Sequence, residues 1–350
     1  MIVVVHGDDF VIVGDYNDLK HAEHMLAQMF EIKVNIIGNI SGCTHEMKVL
    51  NRMIAWTREG IRYIPDGKHA EKVIQELGLE EAKGVGKPMA DDISSDSSYD
   101  YALSMSEARL FRSLAARCNY MAQDRPDLQV AVKGVCKSMS SPSAADWAKL
   151  KRIGRYLLTY PEWEYVYRWQ SQNEYIDAYS DSDWAGCKVT RKSCSGGCIM
   201  RGSHILKTWA KDQSVVALSS GEAEMYAAVR TGTEALGLQA LAEDMGVKMK
   251  IRMKIDASAT LGMINRRGLG KVRHIEVSNL WLQNAVRDNL IEVMKIPSKE
   301  NIADLMTKSL GNDEIVRYMH MMGFNGMRPR RLQGHRGRGG VQELNIVTQM

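Results

Sequence analysis

The spacing of apolar residues divides the chain into three patterned regions. Residues 1–90 mix short β-branched runs with amphipathic stretches, residues 104–159 repeat apolar positions at helical spacing, and residues 174–310 alternate between the two patterns. The polar, acidic and Ser-rich residues 91–100 predict a linker after the first region. Two or three domains are therefore expected, as the length of 350 residues also indicates.

The first region predicts two hairpins and two helices, with the opening hairpin turning at Gly7-Asp8-Asp9. The predicted elements are strands Met1–His6 and Phe10–Gly14, helix Tyr16–Phe30, strands Met47–Trp56 and Gly60–Pro65, and helix Lys68–Leu77. The second region predicts only helices, with Ser106 as an N-cap and new elements starting at Pro126 and Pro142.

The third region predicts an α/β domain of the mixed α+β kind. Its predicted elements are strand Tyr175–Asp181, a hairpin of Gly196–Arg201 and His204–Trp209, helix Ser219–Met245, strand Lys250–Asp256, helices Ser258–Asn265 and His274–Asn289, strand Ile291–Ile296 and helix Asn301–Leu310. This order is typical of one mixed sheet with helices on its faces.

Composition narrows the class of protein. Hydrophobic residues make up 45% and charged residues 25%, which excludes wholesale disorder. No apolar run approaches the ~18 residues of a membrane helix, and the N-terminal run meets His6 and Asp8 too soon for a signal-peptide core. The six cysteines form no CxxC pair and predict reduced thiols. A net charge of +4 leaves a nucleic-acid partner open.

The last residues, 325–350, are rich in arginine, glycine and proline, with Glu343 as the only acid. This composition predicts a disordered tail. The tail is interpreted either as a basic nucleic-acid-binding arm or as an end without function.

Four acidic residues lie at positions suited to chemistry. Asp181 and Asp256 end predicted strands, Glu224 lies in the second turn of the long helix, and Asp304 lies in the first turn of the last helix. Such positions commonly converge at one edge of a sheet, where mutual repulsion raises carboxyl pKa values and Mg²⁺ relieves it. Spacing alone equally allows separate surface acids, or acids favoured by helix dipoles.

Other polar residues are weaker candidates. Asp183 falls beyond the strand alternation, and Glu222 is explained by a capping box with Ser219. Arg273 and His274 could touch a scissile phosphate, although a single such histidine is commonly structural. Asp8 and Asp9 suit either a plain turn or metal ligation for nucleotidyl transfer.

Seven motifs occur in the order found in one family. VHGDDFVIVGD resembles a YVDD-type polymerase hairpin, and FRSLAARCNYMAQDRPDLQVAV resembles a helical connection. They are followed by YSDSDWAG, RKSCSGG, VALSSGEAE, VRHIEV and IADLMTK. Over roughly residues 1–312 the chain resembles the C-terminal part of a copia-type (Ty1/copia) LTR-retrotransposon Pol polyprotein, the end of a reverse transcriptase followed by ribonuclease H.

The resemblance implies a domain organisation. Residues 1–90 would be a truncated reverse-transcriptase palm/thumb remnant, 91–173 the linker and helical connection, 174–312 a ribonuclease H-like domain with a mixed five-stranded sheet, and 313–350 a basic, disordered tail.

The resemblance also implies chemistry. The family's ribonuclease H acids fall on Asp181, Glu224, Asp256 and Asp304. They would bind two Mg²⁺ ions, with Mn²⁺ as a substitute, and cut the RNA strand of an RNA–DNA hybrid. One metal would activate water and the other would stabilise the leaving 3′ oxygen.

Several positions depart from the family pattern. Ala257 stands where the family usually has Asn, which removes an amide beside the third acid. Gly221 and Cys194 each replace a Thr, and residues 297–300 contain no His to assist product release. The four acids remain.

No polymerase activity is expected from this chain alone, because the fingers and an upstream palm Asp precede the hairpin in the family and Asp8 and Asp9 cannot complete a metal site. The chain is interpreted as a fragment of an element or of its gene model.

The resemblance implies as partners an RNA–DNA hybrid and a complete reverse transcriptase or other retroelement proteins. It also implies that the protein works inside the cell and without a membrane. The alternative is a catalytically idle relic that at most binds nucleic acid. A transposase or integrase of the same fold fits the motif order less well.

Overall fold

The computed structural model describes five stretches of the chain: residues 1–89, 101–268, 270, 277–327 and 343–348. No helix within these stretches is long and apolar enough to cross a membrane. The predicted linker and the candidates Arg273 and His274 lie outside the described residues, as do the arginines between 328 and 338.

The described strands, in chain order, are β1 (Ile2–His6), β2 (Asp9–Gly14), β3 (Lys33–Ile37), β4 (Glu46–Val49), β5 (Arg52–Trp56), β6 (Gly60–Ile64), β7 (Glu162–Arg168), β8 (Tyr175–Asp183), β9 (Cys194–Arg201), β10 (His204–Asp212), β11 (Lys250–Ile255), β12 (Ile291–Lys295), β13 (Phe324–Met327) and β14 (Glu343–Thr348). The α-helices are α1 (Tyr16–Ala27), α2 (Lys68–Glu76), α3 (Met105–Met121), α4 (Gln129–Cys136), α5 (Ala144–Thr159), α6 (Ser220–Asp244), α7 (Ser258–Ile264), α8 (Trp281–Arg287) and α9 (Asn312–Met321).

The chain forms two compact units. The first consists of Met1–Asp66, Glu162–Trp169 and Asn325–Met350, and the second of Gly67–Pro161 and Gln170–Phe324. The helices between residues 67 and 161 therefore belong to the same unit as the C-terminal sheet. These units divide the chain at other points than the boundaries predicted from the sequence.

The first unit contains two sheets, with strand orders β1-β2-β14-β3 and β13-β7-β6-β5-β4. The opening hairpin is confirmed, with His6 paired to Asp9. The single strand predicted over Met47–Trp56 is wrong, because β4 and β5 form a hairpin of their own there. Its turn residues, Leu50 and Asn51, have φ values of 45° and 66°. No glycine marks this left-handed turn, which is why the sequence pattern missed it.

The predicted disorder from residue 313 is wrong for the residues that the structure describes as far as 327. Helix α9 occupies Asn312–Met321 and buries Tyr318 and Met319. These buried apolar positions outweigh the basic composition of the residues that follow.

Helices α2 to α5 pack around an apolar core that includes Phe111, Leu114 and Ile153, each without solvent exposure. Helix α3 begins at an N-cap on Ser104, not on Ser106 as predicted. The Ser104 hydroxyl accepts from the backbone N–H of Glu107, and the Glu107 carboxylate accepts from the N–H of Ser104. This reciprocal capping box is the stronger of the two possible helix starts.

The second unit's sheet has the order β10-β9-β8-β11-β12. Strand β9 runs antiparallel to both β8 and β10, whereas β11 runs parallel to both β8 and β12. Helix α6 packs on this sheet over a core that includes Ile176, Met225 and Met253. The predicted mixed five-stranded sheet with flanking helices is thus confirmed.

The last predicted helix is shorter than the pattern suggested. Asn301–Leu310 forms a 3₁₀ helix only over Ile302–Met306, with Asn301 as its N-cap. Likewise, the described part of His274–Asn289 begins with a 3₁₀ turn, Val277–Leu280, that continues into α8.

Candidate active site

Asp181 lies near the carboxyl end of β8, the central strand of the second unit's sheet. It is 2% exposed and pairs in register with Gly196 of β9. A Cβ atom at Gly196 would lie 2.5 Å from Cγ2 of Thr307, whose hydroxyl donates to Asp181. The absence of a side chain at Gly196 therefore leaves room for Thr307, which hydrogen-bonds to the buried Asp181 carboxylate.

The topology brings two further acids to Asp181. Asp256 follows β11, and the parallel register of β11 with β8 places Lys254 opposite Tyr179. Asp256 and Asp181 each lie two residues further along their strands, so they reach the same sheet edge. Asp304, in the 3₁₀ helix, completes the group. One carboxylate oxygen of each of these three acids lies within 4.8 Å of the others.

Glu224 approaches from the start of α6. Its Oε1 accepts a hydrogen bond from the backbone N–H of Ser182 at 3.2 Å. Its Oε2 is buried and has no hydrogen-bond partner in the described part of the protein. Glu224 lies outside the three-acid group, although its carboxylate interacts with both Asp181 and Asp256.

Burial and mutual repulsion raise the pKa values of Asp181, Glu224 and Asp304. Burial raises the pKa of Asp181 to about 7; Lys308 opposes this rise, and Asp304 and Asp256 add to it. Burial, and then the Asp181 charge, raise the pKa of Glu224 to about 8. Burial also raises the pKa of Asp304. A site whose acids resist ionisation without a cation is suited to bind one.

A lysine supplies one positive charge to the group. The ammonium of Lys308 lies 2.7 Å from Oδ1 of Asp304 and 3.4 Å from Oδ1 of Asp181. Burial alone would lower the pKa of Lys308, but the Asp181 and Asp304 carboxylates raise it above its ordinary value. Lys308 therefore stays charged and offsets part of the repulsion between the acids.

Asn301 connects the two strands beneath the acids. It is fully buried, and its amide donates to the carbonyl of Ser180 at 3.0 Å and to Oδ1 of Asp256 at 3.2 Å. Its own oxygen accepts from the N–H of Ala303. Asn301 thus gives Asp256 an amide partner in a chain that has Ala257 where the family usually has Asn.

The weaker acidic candidates have structural partners. Asp183 accepts from the backbone N–H of Cys194 at the end of the β8–β9 pair. Glu222 accepts from the N–H of Leu218 at 2.7 Å and from the hydroxyl of Tyr226. These contacts hold a strand end and a helix start. The Ser219 hydroxyl accepts from the N–H of Glu222 as the predicted capping box requires, but the Glu222 carboxylate accepts from the N–H of Leu218 rather than from that of Ser219.

Asp8 and Asp9 lie in the first unit. Asp8 is exposed in the hairpin turn, and Asp9 begins β2. Throughout the described ranges, the three-acid group of the second unit is the only set of three or more acidic, His or Cys side chains spaced to hold a metal. The structure therefore brings no third such ligand to Asp8 and Asp9 from the described residues.

The donor set fits a hard divalent cation. Carboxylate oxygens are the ligands that Mg²⁺ prefers, and three of them converge here. The unpartnered Oε2 of Glu224 is a fourth oxygen that lacks a hydrogen bond. Asp181, Asp256, Asp304 and Glu224 are the residues that could hold the metal, and that role stays a prediction.

Comparison with known proteins shows which proteins this chain is similar to. It is 25% identical to the retrovirus-related Pol polyprotein of transposon RE2 from Arabidopsis thaliana over 92% of this chain, and 24% identical to that of a Nicotiana tabacum transposon over 93%. It is also 31% identical to an uncharacterized mitochondrial protein of Arabidopsis thaliana, covering 92% of that protein and 67% of this chain. The relatives of this chain thus include Pol polyproteins of copia-type transposons. It spans 22% and 24% of the length of the two polyproteins.

No protein-family model matches this chain. Among solved structures, a ribonuclease H domain from Mycobacterium tuberculosis aligns over 42% of this chain and 98% of its own, with 15% identity and a TM-score of 0.30. A ribonuclease H1 crystallised with an RNA/DNA hybrid aligns over 41% of this chain and 99% of its own, with 17% identity and a TM-score of 0.28. The second unit contains a mixed five-stranded sheet, and the solved structures that align with this chain are ribonuclease H domains.

The sequence pattern does not reveal the residues that support the acids. Lys308 lies four positions after Asp304, a spacing at which helical side chains meet. Asn301 lies three positions before Asp304 and is a favoured N-cap residue. Both signals were available, but neither shows that the side chain turns toward an acid on another strand.

Proposed function

We propose that this chain is a divalent-metal-dependent ribonuclease H that cuts the RNA strand of RNA–DNA hybrids. The observation that carries the proposal is the convergence of Asp181, Asp256 and Asp304 to within 4.8 Å. The acids come from two strands and a 3₁₀ helix that lie far apart in the chain. Similarity to copia-type Pol polyproteins supports the same function.

Each residue of the site has a distinct part in this proposal. Bound Mg²⁺ ions would supply Lewis-acid activation of water and stabilisation of the leaving oxygen. Asp181, Asp256, Asp304 and Glu224 would hold those ions. Thr307 and Asn301 orient the Asp181 and Asp256 carboxylates through hydrogen bonds.

Hybrid specificity would come from backbone shape. A hybrid has an A-like minor groove that displays 2′-hydroxyl groups, which a DNA duplex lacks. Its phosphates make binding depend on salt concentration. We therefore expect cleavage of many hybrid sequences and none of a DNA duplex.

The experiment is cleavage of a labelled RNA–DNA hybrid with Mg²⁺, run beside a DNA duplex of the same sequence. The variant Asp181→Asn removes one charge from the site, and Asp244→Asn, at the exposed end of α6, is the matched control. Hybrid-specific cleavage that Asp181→Asn loses and Asp244→Asn keeps supports the proposal. Absence of cleavage by folded protein, with Mn²⁺ and low salt also tried, contradicts it.

The second candidate is a catalytically idle module that binds nucleic acid. The observation that favours it is the ammonium of Lys308, which already lies between Asp181 and Asp304. A cation fixed there would satisfy these acids without a metal. Hybrid binding without cleavage, together with no measurable affinity for Mn²⁺, would favour this candidate.

A further inference from the structure

An exposed apolar surface lies between the segments that carry the first two acids. Trp184 follows Asp181 by three residues, and Leu218 precedes Glu224 by six. Trp184 is 54% exposed and Leu218 66% exposed, with Val216 exposed beside it in the chain. We call Trp184, Val216 and Leu218 the indole platform. Large apolar side chains grouped on a surface commonly mark a binding site.

The indole of Trp184 is held in place although it is exposed. Its Nε1 donates to the carbonyl of Ala217 at 3.1 Å. This bond joins the end of β8 to the segment that precedes α6. Since the one polar atom of the ring is satisfied, the exposed part of the side chain is apolar and available for stacking.

A closed basic turn follows Trp184. The N–H of Cys187 donates to the carbonyl of Lys192 at 3.2 Å, and the N–H of Arg191 donates to the carbonyl of Cys187 at 2.8 Å. Arg191 has a φ of 57°, which reverses the chain within the turn. The N–H of Ala185 donates to the hydroxyl of Ser193 at 2.9 Å and closes the base of the turn.

The turn carries three cations, Lys188, Arg191 and Lys192, and no acid between Cys187 and Lys192. None of the three makes an ion pair with a described carboxylate, whereas Lys133, Lys207 and Lys308 all do. Unpaired cations on a fixed turn suit the phosphates of a nucleic acid.

We propose that the indole platform and the basic turn bind the minor groove and backbone of an RNA–DNA hybrid next to the scissile phosphate. Trp184 and Leu218 pack on sugars exposed in the wide, shallow groove. Lys188, Arg191 and Lys192 contact the flanking phosphates. The inference rests on the proposed function, because it takes the position of the hybrid from the acids.

The test is the affinity for a short fluorescein-labelled RNA–DNA hybrid, measured by anisotropy in EDTA so that no strand is cut. Trp184→Ala is expected to weaken binding roughly tenfold, because the apolar contact of a large aromatic side chain with the sugars is lost. Trp184→Phe keeps a ring but loses the indole N–H, and should stay within about threefold of the wild type. If the hydrogen bond from Trp184 to Ala217 has only a structural role, Trp184→Phe should weaken binding as much as Trp184→Ala does.

The basic turn is tested by a triple variant, Lys188→Gln, Arg191→Gln and Lys192→Gln. The slope of log affinity against log salt should fall by about 2 to 3, since each phosphate contact adds ~0.9. The matched control is the triple variant Lys207→Gln, Lys248→Gln and Lys250→Gln. These residues lie toward the starts of β10 and β11, away from the acids, and the slope should not change.

Other outcomes overturn the inference. Unchanged affinity in Trp184→Ala and an unchanged slope in the basic triple would show that the hybrid does not lie here. An equal loss of affinity for a DNA duplex would contradict a hybrid-specific surface. Circular dichroism checks folding, and if Trp184→Ala unfolds, Trp184→Phe and the basic triple decide. Binding is measured without metal and therefore does not depend on cleavage. If the variants lose affinity as expected but the wild-type protein never cleaves a hybrid, the binding surface stands and only the proposed nuclease activity is refuted.

Discussion

Two regions of this protein, the first hairpin and the carboxyl end of β8, carry neighbouring aspartates, and their surroundings differ. In the first unit, Asp8 and Asp9 follow a hairpin strand, and no third acid, His or Cys among the described residues joins them in a metal-spaced group. In the second unit, Asp181 ends a central strand, and parallel pairing brings Asp256 to the same edge. Adjacent aspartates alone satisfy a turn, whereas convergence from separate elements creates a site.

The largest expected effect is on the rate of hybrid cleavage, which should depend on the acids of the second unit and not on those of the first. Asp256→Asn or Asp304→Asn should lower the rate of hybrid cleavage by a thousandfold or so, because loss of a metal ligand costs several kcal/mol of transition-state stabilisation, on the order of 4. The double variant Asp8→Asn and Asp9→Asn should leave the rate within about twofold. Single-turnover cleavage assays measure both, and a large loss in the Asp8 and Asp9 variant would break the comparison.

The next effect concerns the support of Asp256. Asn301→Ala removes donors to Asp256 and Ser180 and the cap of the 3₁₀ helix. We expect the free energy of unfolding to fall by about 2–3 kcal/mol, since the buried partners are left unsatisfied. Urea denaturation measures this loss. Asn265→Ala, at the end of α7, is the control and should change stability by less than about 1 kcal/mol. An equal effect in both variants would contradict the role given to Asn301.

A smaller effect is expected from the lysine between the acids. Lys308→Met leaves the Asp181 and Asp304 carboxylates without their cation, which should lower the free energy of unfolding in EDTA by about 1–2 kcal/mol. The effect is moderate because 40% of the lysine side chain is exposed and water screens its charge. Mg²⁺ should restore most of the loss. Chemical denaturation with and without Mg²⁺ tests this, and a loss that Mg²⁺ leaves unchanged would contradict it.

The smallest expected effect is a pH dependence of stability in the metal-free protein. The pKa values of Asp181 and Glu224 are raised to about 7 and about 8. Between the ordinary carboxyl pKa near ~4 and these values, the folded state binds more protons than the unfolded state, so stability falls as pH rises. The melting temperature in EDTA should therefore decline from mildly acidic to mildly alkaline pH. Glu224→Gln should make the melting temperature fall less steeply with pH. If the variant shows the same slope as the wild type, the raised pKa of Glu224 is not a cause of the decline.

Much of the second unit could be predicted from the sequence, because its signals are local. The N-cap Ser219 marks the start of α6, and alternation marks β8. The four candidate acids were identified from strand ends and helix starts. Asp181, Asp256 and Asp304 then converge in the structure, because strands with these directions share one carboxyl edge.

The features that were missed depend on contacts between distant residues. Strand β7 pairs with β6 about a hundred residues earlier, and buried Glu164 in β7 is balanced by Arg62. A buried charge in a short run does not resemble a strand until its partner is known. For the same reason, the side chains of Asn301 and Lys308 could not be assigned to acids on other elements.

The central claim is that the carboxyl edge of the second unit's sheet binds a divalent metal and the hairpin of the first unit does not. Mn²⁺ binding, followed by electron paramagnetic resonance, tests this directly. The account predicts binding by the wild type, loss in Asp181→Asn, and retention in the double variant Asp8→Asn and Asp9→Asn. Equal binding by all three proteins, or loss only in the Asp8 and Asp9 variant, would contradict it.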